Sequence, residues 1–254
     1  VIRFASLGSG SKGNALLVES GVTRVLVDCG FGPREMARRL ERLGITPEAV
    51  TAVLVTHEHA DHVGGAARCA ARFGWTVHAS YGTAAAARQL ADMPVRRFDS
   101  HASFVLGDLE IHPYPVPHDA REPAQFVFSD GARRLGVLTD AGTVTPHIVA
   151  MLQSCAALVL ECNHDAQMLA NGRYSPALKQ RIGGGFGHLE NGAAAALLRG
   201  LGGTGLQHVV AAHLSEENNT PELARTALAG ALGCTPEWIG VATQAAGFGW
   251  REVR

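Results

Sequence analysis

Long apolar runs are missing from this chain. No stretch of its 254 residues reaches the roughly 18 consecutive apolar positions that a membrane helix needs, so no membrane partner is expected. The first residues, VIRFASLGSGSKGN, hold no continuous apolar segment of the kind a secretory signal carries. Paired cysteines are missing too. Cys29, Cys69, Cys155, Cys162 and Cys234 make an odd count with no C-x-x-C pair. That argues against a disulfide framework and a thiolate zinc site, and predicts a cytoplasmic protein. There is no excess of charge: 22 basic and 23 acidic side chains give a net charge of −1. Nucleic-acid binding by bulk electrostatics is excluded, and only a local basic patch could serve such a partner. Trp and Tyr are scarce at three each, whereas histidine is abundant at 12. Imidazole is a common metal ligand, so the placement of those histidines becomes the question.

Short apolar runs bounded by turn residues alternate with Ala/Leu-rich segments of helical period. The pattern predicts strands over 2–6, 15–19, 24–28, 52–56 and 76–79, with helices over 35–43, 63–73 and 82–91. A strand-rich middle follows, at 103–106, 110–116, 125–129 and 135–139. The last third alternates again, with helices over 146–153, 176–182, 193–201 and 221–232 and strands over 157–161, 207–211 and 238–241. No repeat, charge block or linker-like tract divides the chain, so residues 1–254 read as one α/β domain.

Gly8-Ser-Gly10-Ser-Lys-Gly13 matches the dinucleotide pattern G-x-G-x-x-G. That motif works because a helix N-terminus follows and offers its free N–H groups to a pyrophosphate. Here Asn14 is followed by ALLVES, which reads as a strand, so a tight turn between two strands is the better account. A P-loop is excluded as well, since Lys12 precedes Gly13 rather than following a glycine.

The chemistry-bearing segment follows the apolar strand AVLVT: His57-Glu58-His59-Ala60-Asp61-His62. Four candidate ligands within six residues converge only if the chain turns at the strand end. His57 and His59 then face one point, while Asp61 and His62 open the next helix and face another. That split suits two metal ions better than one. Imidazole and carboxylate are ligands that zinc accepts.

H-x-H-x-D-H resembles the signature of metallo-β-lactamase-fold hydrolases, and the chain holds similar companions in order. Asp28 in LVDCG is similar to that family's early strand-end aspartate. His118 in VPHDA, Asp140 in LTDAG and His213 in AAHLSEENNTP resemble its later ligands. The resemblance implies a four-layer αββα sandwich over residues 1–254 with two divalent metal ions at one edge. Zinc is the first expectation and manganese the alternative. It implies His57, His59 and His118 on one metal, Asp61, His62 and His213 on the other, and Asp140 bridging them. Asp28 is implied behind these ligands.

SLGSGSKGN, HEHADH, NHD, GHLEN and HLSEENNTPELA together resemble the bacterial YycJ-like (VicX-like) branch, regarded as phosphodiesterase or nuclease-like. One departure stands out: the branch usually reads GHLSN, and this chain has Glu190 at the serine, where a carboxylate would repel a phosphate. The resemblance implies hydrolysis of a phosphodiester, with single- or double-stranded nucleic acid as candidate substrate and a metal-bridging hydroxide as nucleophile. Asp61 and His188 are the candidate catalytic residues, His188 as donor to the leaving oxygen. His164 is a candidate supporting residue. A thioester, ester or lactam hydrolase on the same centre is the alternative, and a non-catalytic regulatory partner of a signalling system the third reading. The remaining histidines, His78, His101, His112, His147 and His208, match no motif and are expected in packing or on the surface. Arg38-Arg39 and Arg96-Arg97 are expected to be solvated, and the cysteines to behave as small buried hydrophobes.

Overall fold

The computed structural model describes residues 1–203 and 205–254. The first half of the chain runs β1 (Ile2–Gly8), β2 (Ala15–Ser20), β3 (Thr23–Val27), α1 (Pro33–Glu41), β4 (Ala52–Val55), α2 (Ala60–Val63), α3 (Ala66–Phe73), β5 (Thr76–Ser80), α4 (Tyr81–Ala86) and β6 (Val95–Phe98). The second half runs β7 (Phe104–Leu106), β8 (Leu109–Pro115), β9 (Ala124–Ser129), β10 (Arg134–Leu138), α5 (Pro146–Leu152), β11 (Ala157–Glu161), α6 (Ala166–Asn171), α7 (Pro176–Ile182), α8 (Asn191–Leu201), β12 (His208–Ala212), α9 (Pro221–Leu232), β13 (Gly240–Val241) and β14 (Phe248–Val253).

These strands form two seven-stranded sheets, ordered β14-β1-β2-β3-β4-β5-β6 and β13-β12-β11-β10-β9-β8-β7. Both are built alike. β14, β1, β2 and β3 are antiparallel neighbours, and β3 to β6 run parallel. In the second sheet β7 to β10 are antiparallel and β10 to β13 parallel. The parallel steps carry the helices, as a crossover connection requires.

Because both faces of each sheet are covered, the strands are apolar at successive positions rather than alternating with polar ones. In β3, Val25 and Val27 enter the core between the sheets, while Leu26 packs beneath α1 and α3 with Met36, Leu40 and Cys69. In β9, Phe126 and Phe128 fill the space between the sheets, and Val127 joins the layer under α5, α8 and α9. This is the αββα sandwich expected from the motifs.

The structure departs from the sequence reading at several elements. The helix expected over 63–73 is two helices, α2 and α3, separated at Gly64-Gly65. A Cβ on Gly65 would lie 1.8 Å from the Phe31 carbonyl oxygen, and that close approach fixes the break. The helix expected over 82–91 ends at Ala86, followed by a 3-10 turn over Arg88–Leu90. Strands β6 and β14 and helix α6 were not anticipated. Gly8–Gly13 lies at the turn joining antiparallel β1 and β2, as expected. Among the described residues no helix is long and apolar enough to cross a membrane.

Candidate metal centre

The C-terminal ends of the parallel strands in both sheets meet at one edge of the sandwich, the place where open α/β sheets bind ligands. Asp28 follows β3, His57 and His59 follow β4, Asp140 follows β10, Glu161 ends β11 and His213 follows β12. Three of them hold left-handed backbone, at φ 65° for Asp28, 52° for Asp140 and 55° for His213. The only other non-glycine residue with positive φ among the described residues is Ser154. Such conformations cost on the order of 1–3 kcal/mol each and persist where the surroundings enforce them.

His57 Nε2 lies 3.0 Å from His59 Nδ1, and His118 Nε2 lies 3.3 Å from the same nitrogen. Beside this trio, Asp61 Oδ2 lies 3.2 Å from His62 Nε2 and 3.5 Å from His213 Nε2. Asp140 stands between the groups. Its Oδ2 is 3.4 Å from His62 Nε2, while its Oδ1 is 3.5 Å from His213 Nε2 and 3.9 Å from His118 Nε2. Each trio offers ligand atoms within 4.8 Å of one another. Asp140 Oδ2 and His213 Nε2 are buried without a hydrogen-bond partner. Orphaned polar atoms at this depth are costly, and a cation completes both. The donor set therefore fits divalent ions.

The far side of most of these imidazoles is also engaged. Asp28 Oδ2 lies 2.7 Å from His62 Nδ1, and Thr56 Oγ1 is 2.9 Å from both Asp28 Oδ2 and His57 Nδ1. His118 Nδ1 is 2.9 Å from the Gly187 carbonyl oxygen. Such partners fix the tautomer and ring orientation of a ligating histidine.

Glu161, which sequence reasoning missed, does this for the other half of the site. Its Oε1 lies 2.9 Å from His188 Nδ1 and 3.3 Å from His213 Nδ1. Its Oε2 accepts from the backbone N–H groups of Ala141 and Leu189 at 2.9 and 3.1 Å. Asn14 was missed as well: its Nδ2 is 3.2 Å from both Asp61 Oδ2 and His62 Nε2. The signal for Glu161 was a lone acid closing the apolar strand ALVLE. Asn14 directly follows the Gly8–Gly13 turn, whose pattern reads as a turn rather than a site.

Charge in the cluster is strongly coupled. Burial opposes ionisation of Asp140 and Asp61, yet neighbouring imidazoles outweigh it and hold both carboxyls well below their usual range. Burial likewise opposes charge on Glu161, and His188 and His213 overcome it, bringing its pKa to about 2. His213 is pushed up to about 10: burial works against its charge, but Asp140, Asp61 and Glu161 prevail. His57 is the opposite case, held down by burial and then by His62.

His188 belongs to the cluster's margin. Its ring stacks at 5.2 Å on His213 and is engaged through Nδ1 by Glu161. No protein partner for its Nε2 is found among the described residues. His164 lies outside the ligand groups, with Nδ1 3.3 Å from Asn163 Oδ1. Asn163 in turn donates to the His213 carbonyl at 3.0 Å, so His164 reaches the centre only at one remove. Glu190 is the N-cap residue of α8 and makes no side-chain cap hydrogen bond. A serine at that position would be a better cap.

Arg39 is buried rather than solvated. Its guanidinium stacks 4.0 Å over the Phe31 ring and donates to the Leu7 and Gln244 carbonyls. His78 is buried in packing against Phe104, and all five cysteines are free thiols, four of them buried.

A strand-end cluster of histidines and aspartates between two sheets places the chain in a family of metal-site hydrolase folds, and the chain belongs to the β-lactamase superfamily: that domain family's model matches residues 23–214. It is similar to the exodeoxyribonuclease YycJ of Bacillus anthracis, at 33% identity over 235 residues covering 91% of this chain and 89% of the relative. It is also similar to the exodeoxyribonuclease WalJ of Streptococcus pneumoniae, at 31% identity over 246 residues covering 94% and 91%. Among solved structures, the metallo-β-lactamase fold protein YhfI of Bacillus subtilis shares the architecture. Its TM-score is 0.77 with 15% identity over 99% of this chain and 100% of that one, a likeness of fold.

Proposed function

We propose that the chain is a dinuclear metal-dependent phosphodiesterase acting on nucleic acid. The observation that carries this is the meeting of two ligand trios, His57/His59/His118 and Asp61/His62/His213, on either side of one buried carboxylate, Asp140. The kinship with two proteins named exodeoxyribonucleases supplies the substrate class. Five imidazoles against two aspartates favour zinc over magnesium or calcium. We place the protein, as one domain over 1–254, in the cytoplasm, in keeping with its free cysteines.

A pair of divalent cations here would acidify water and neutralise charge on the phosphoryl oxygens. The chain's own groups do the rest. Asp28, Thr56 and the Gly187 carbonyl hold the imidazoles in register on one side, and Glu161 on the other. Glu161 also binds His188 through Nδ1, which leaves Nε2 to carry a proton toward the departing oxygen. Asp61 is the side chain that Asn14 steadies at the entrance to the second trio.

The test is hydrolysis of bis-p-nitrophenyl phosphate by protein loaded with zinc or manganese, with His57→Ala and Asp140→Asn as controls. Metal-dependent turnover lost in both variants is expected. Absence of turnover in protein carrying two ions per chain would defeat the phosphodiesterase reading and turn attention to thioesters and esters.

A further inference from the structure

Two exposed aromatic side chains sit on segments that hydrogen bonds tie to the first ligand trio. Phe186, 66% exposed, precedes Gly187, whose carbonyl oxygen lies 2.9 Å from His118 Nδ1. Its loop is not a loose tip. Thr143 Oγ1 donates to the Gly185 carbonyl at 3.0 Å, and the His188 N–H donates to the Ile182 carbonyl at 2.8 Å. Gly142 packs so tightly on this loop that a Cβ there would lie 2.5 Å from Gly185 C and Gly187 N. Packing of this kind hides apolar surface elsewhere in the fold, yet here it holds a phenyl ring out in water.

The second is Tyr81, 59% exposed, at the start of α4. Arg97 lies over its ring at 5.9 Å. The next residue, Gly82, donates its N–H to the Glu122 carboxylate, and the Arg121 N–H donates to Glu58 Oε1 at 2.7 Å, one residue from His57 and His59. The 119–122 segment therefore links Tyr81 to the histidines. Asp119 closes the circuit: it sits 3.5 Å from His118 Nε2 and holds the exposed Arg181 at 2.6 Å, near the start of the Phe186 loop.

We infer that this rim is a track for single-stranded nucleic acid, with unpaired bases stacked on Phe186 and Tyr81 at either side of the His59–His118 pair. Arg97, Arg121 and Arg181 serve the phosphates between. The inference rests on the phosphodiesterase reading and names its substrate as an unpaired strand or strand end. A rim that offers aromatic faces and guanidinium groups together suits sequence-tolerant single-strand binding, because every base offers a π-face and every linkage a negative charge. Bases of an intact duplex are already stacked on one another and cannot use such platforms. This also reconciles a net charge of −1 with a polyanionic substrate, since stacking supplies what bulk electrostatics does not.

The experiment pairs protein and substrate changes. The metal-loaded protein and its Phe186→Ala and Tyr81→Ala variants are assayed on a labelled single strand, on the same strand with abasic sites in its terminal positions, and on a blunt duplex. Wild type is expected to favour the intact single strand, and each alanine variant to lose about tenfold in kcat/KM on it. Removing both base and ring should cost no more than removing either, and Phe186→Trp should restore the rate. A role in loop structure alone would not reproduce that interdependence. Equal rates on intact and abasic strands, or a preference for the blunt duplex, would overturn the inference while leaving phosphodiesterase activity standing. Failure of wild type on bis-p-nitrophenyl phosphate as well as on every strand would instead remove the reading beneath it.

Discussion

Glu161 touches two histidines and two backbone N–H groups, so its loss should propagate into the centre without removing a ligand. Partners of this kind typically change metal affinity by about 10–100-fold. Glu161→Gln is expected to weaken binding by that amount in competition against a chelator; unaltered affinity would contradict its part in orienting His213. His78 offers a second test at the same scale. Burial, reinforced by Arg96, lowers its pKa to about 4 against its phenyl neighbour Phe104. An unfolded histidine takes up its proton near pH 6.5, so between pH 6.5 and 4 the unfolded state binds more protons and folding weakens as pH falls. At pH 5 that amounts to about 2 kcal/mol. His78→Phe should show a smaller shift in urea midpoint between pH 7 and 5 than wild type does. HEHADH was legible as a candidate ligand segment because it concentrates four donors in one turn, whereas His118, Asp140 and His213 were pointed to only by the family resemblance. Glu161 and Asn14 were legible by neither route, because their importance arises only when β11 and the β1–β2 turn arrive beside histidines from elsewhere.

At the scale of elements, local punctuation decided how much could be anticipated. Helices with proline at the start, such as α5, α7 and α9, were placed closely, since Thr145, Ser175 and Thr220 cap them through their side chains. The paired helices α2 and α3 were merged because Gly64-Gly65 looks tolerable inside a helical period until Phe31 passes beside it. Gly65→Ala is expected to destabilise the fold by about 3 kcal/mol, as overpacking does, and a wild-type urea midpoint would refute that account. Strand β6, with its exposed Arg96 and Arg97, and β14, with Gly249 and mostly half-buried residues, carry too little apolar signal to be read before their sheet partners are known. Glu190→Asp keeps the negative charge at the start of α8 and shortens the side chain to one that caps well. It should stabilise the protein by about 1 kcal/mol, or roughly 2–4 °C in Tm.

Over the whole molecule, the two sheets close their core with phenylalanines and branched aliphatics, while the edge at the ligands holds four buried or half-buried acids, Asp28, Asp61, Asp140 and Glu161. Acids gathered at one edge call for positive charge, which the imidazoles supply in part and divalent cations would complete. Stripping the metal with a chelator should therefore lower Tm on the order of 10 °C, the size expected when a ligand present at about a thousand times its Kd is withdrawn. Readdition of zinc should restore it, and a Tm indifferent to chelation would argue against a buried ion at Asp140. An α/β layering was legible because strand-rich stretches alternate with helical segments, and the four-layer sandwich followed from the family resemblance. The strand order was not legible, since nothing local to the chain's last residues announces that they turn back.

That return has a mechanical consequence. β14 pairs with β1 across Ile2–Val253, Arg3–Glu252 and Phe4–Arg251, so the first sheet is completed by a strand that follows the whole second sheet in sequence. The exposed link near His101 between the halves is thereby redundant as a tether. A protease that cuts there should yield two fragments that still travel together through a sizing column. The molecule is buckled like a belt, with its tongue threaded through the opposite end.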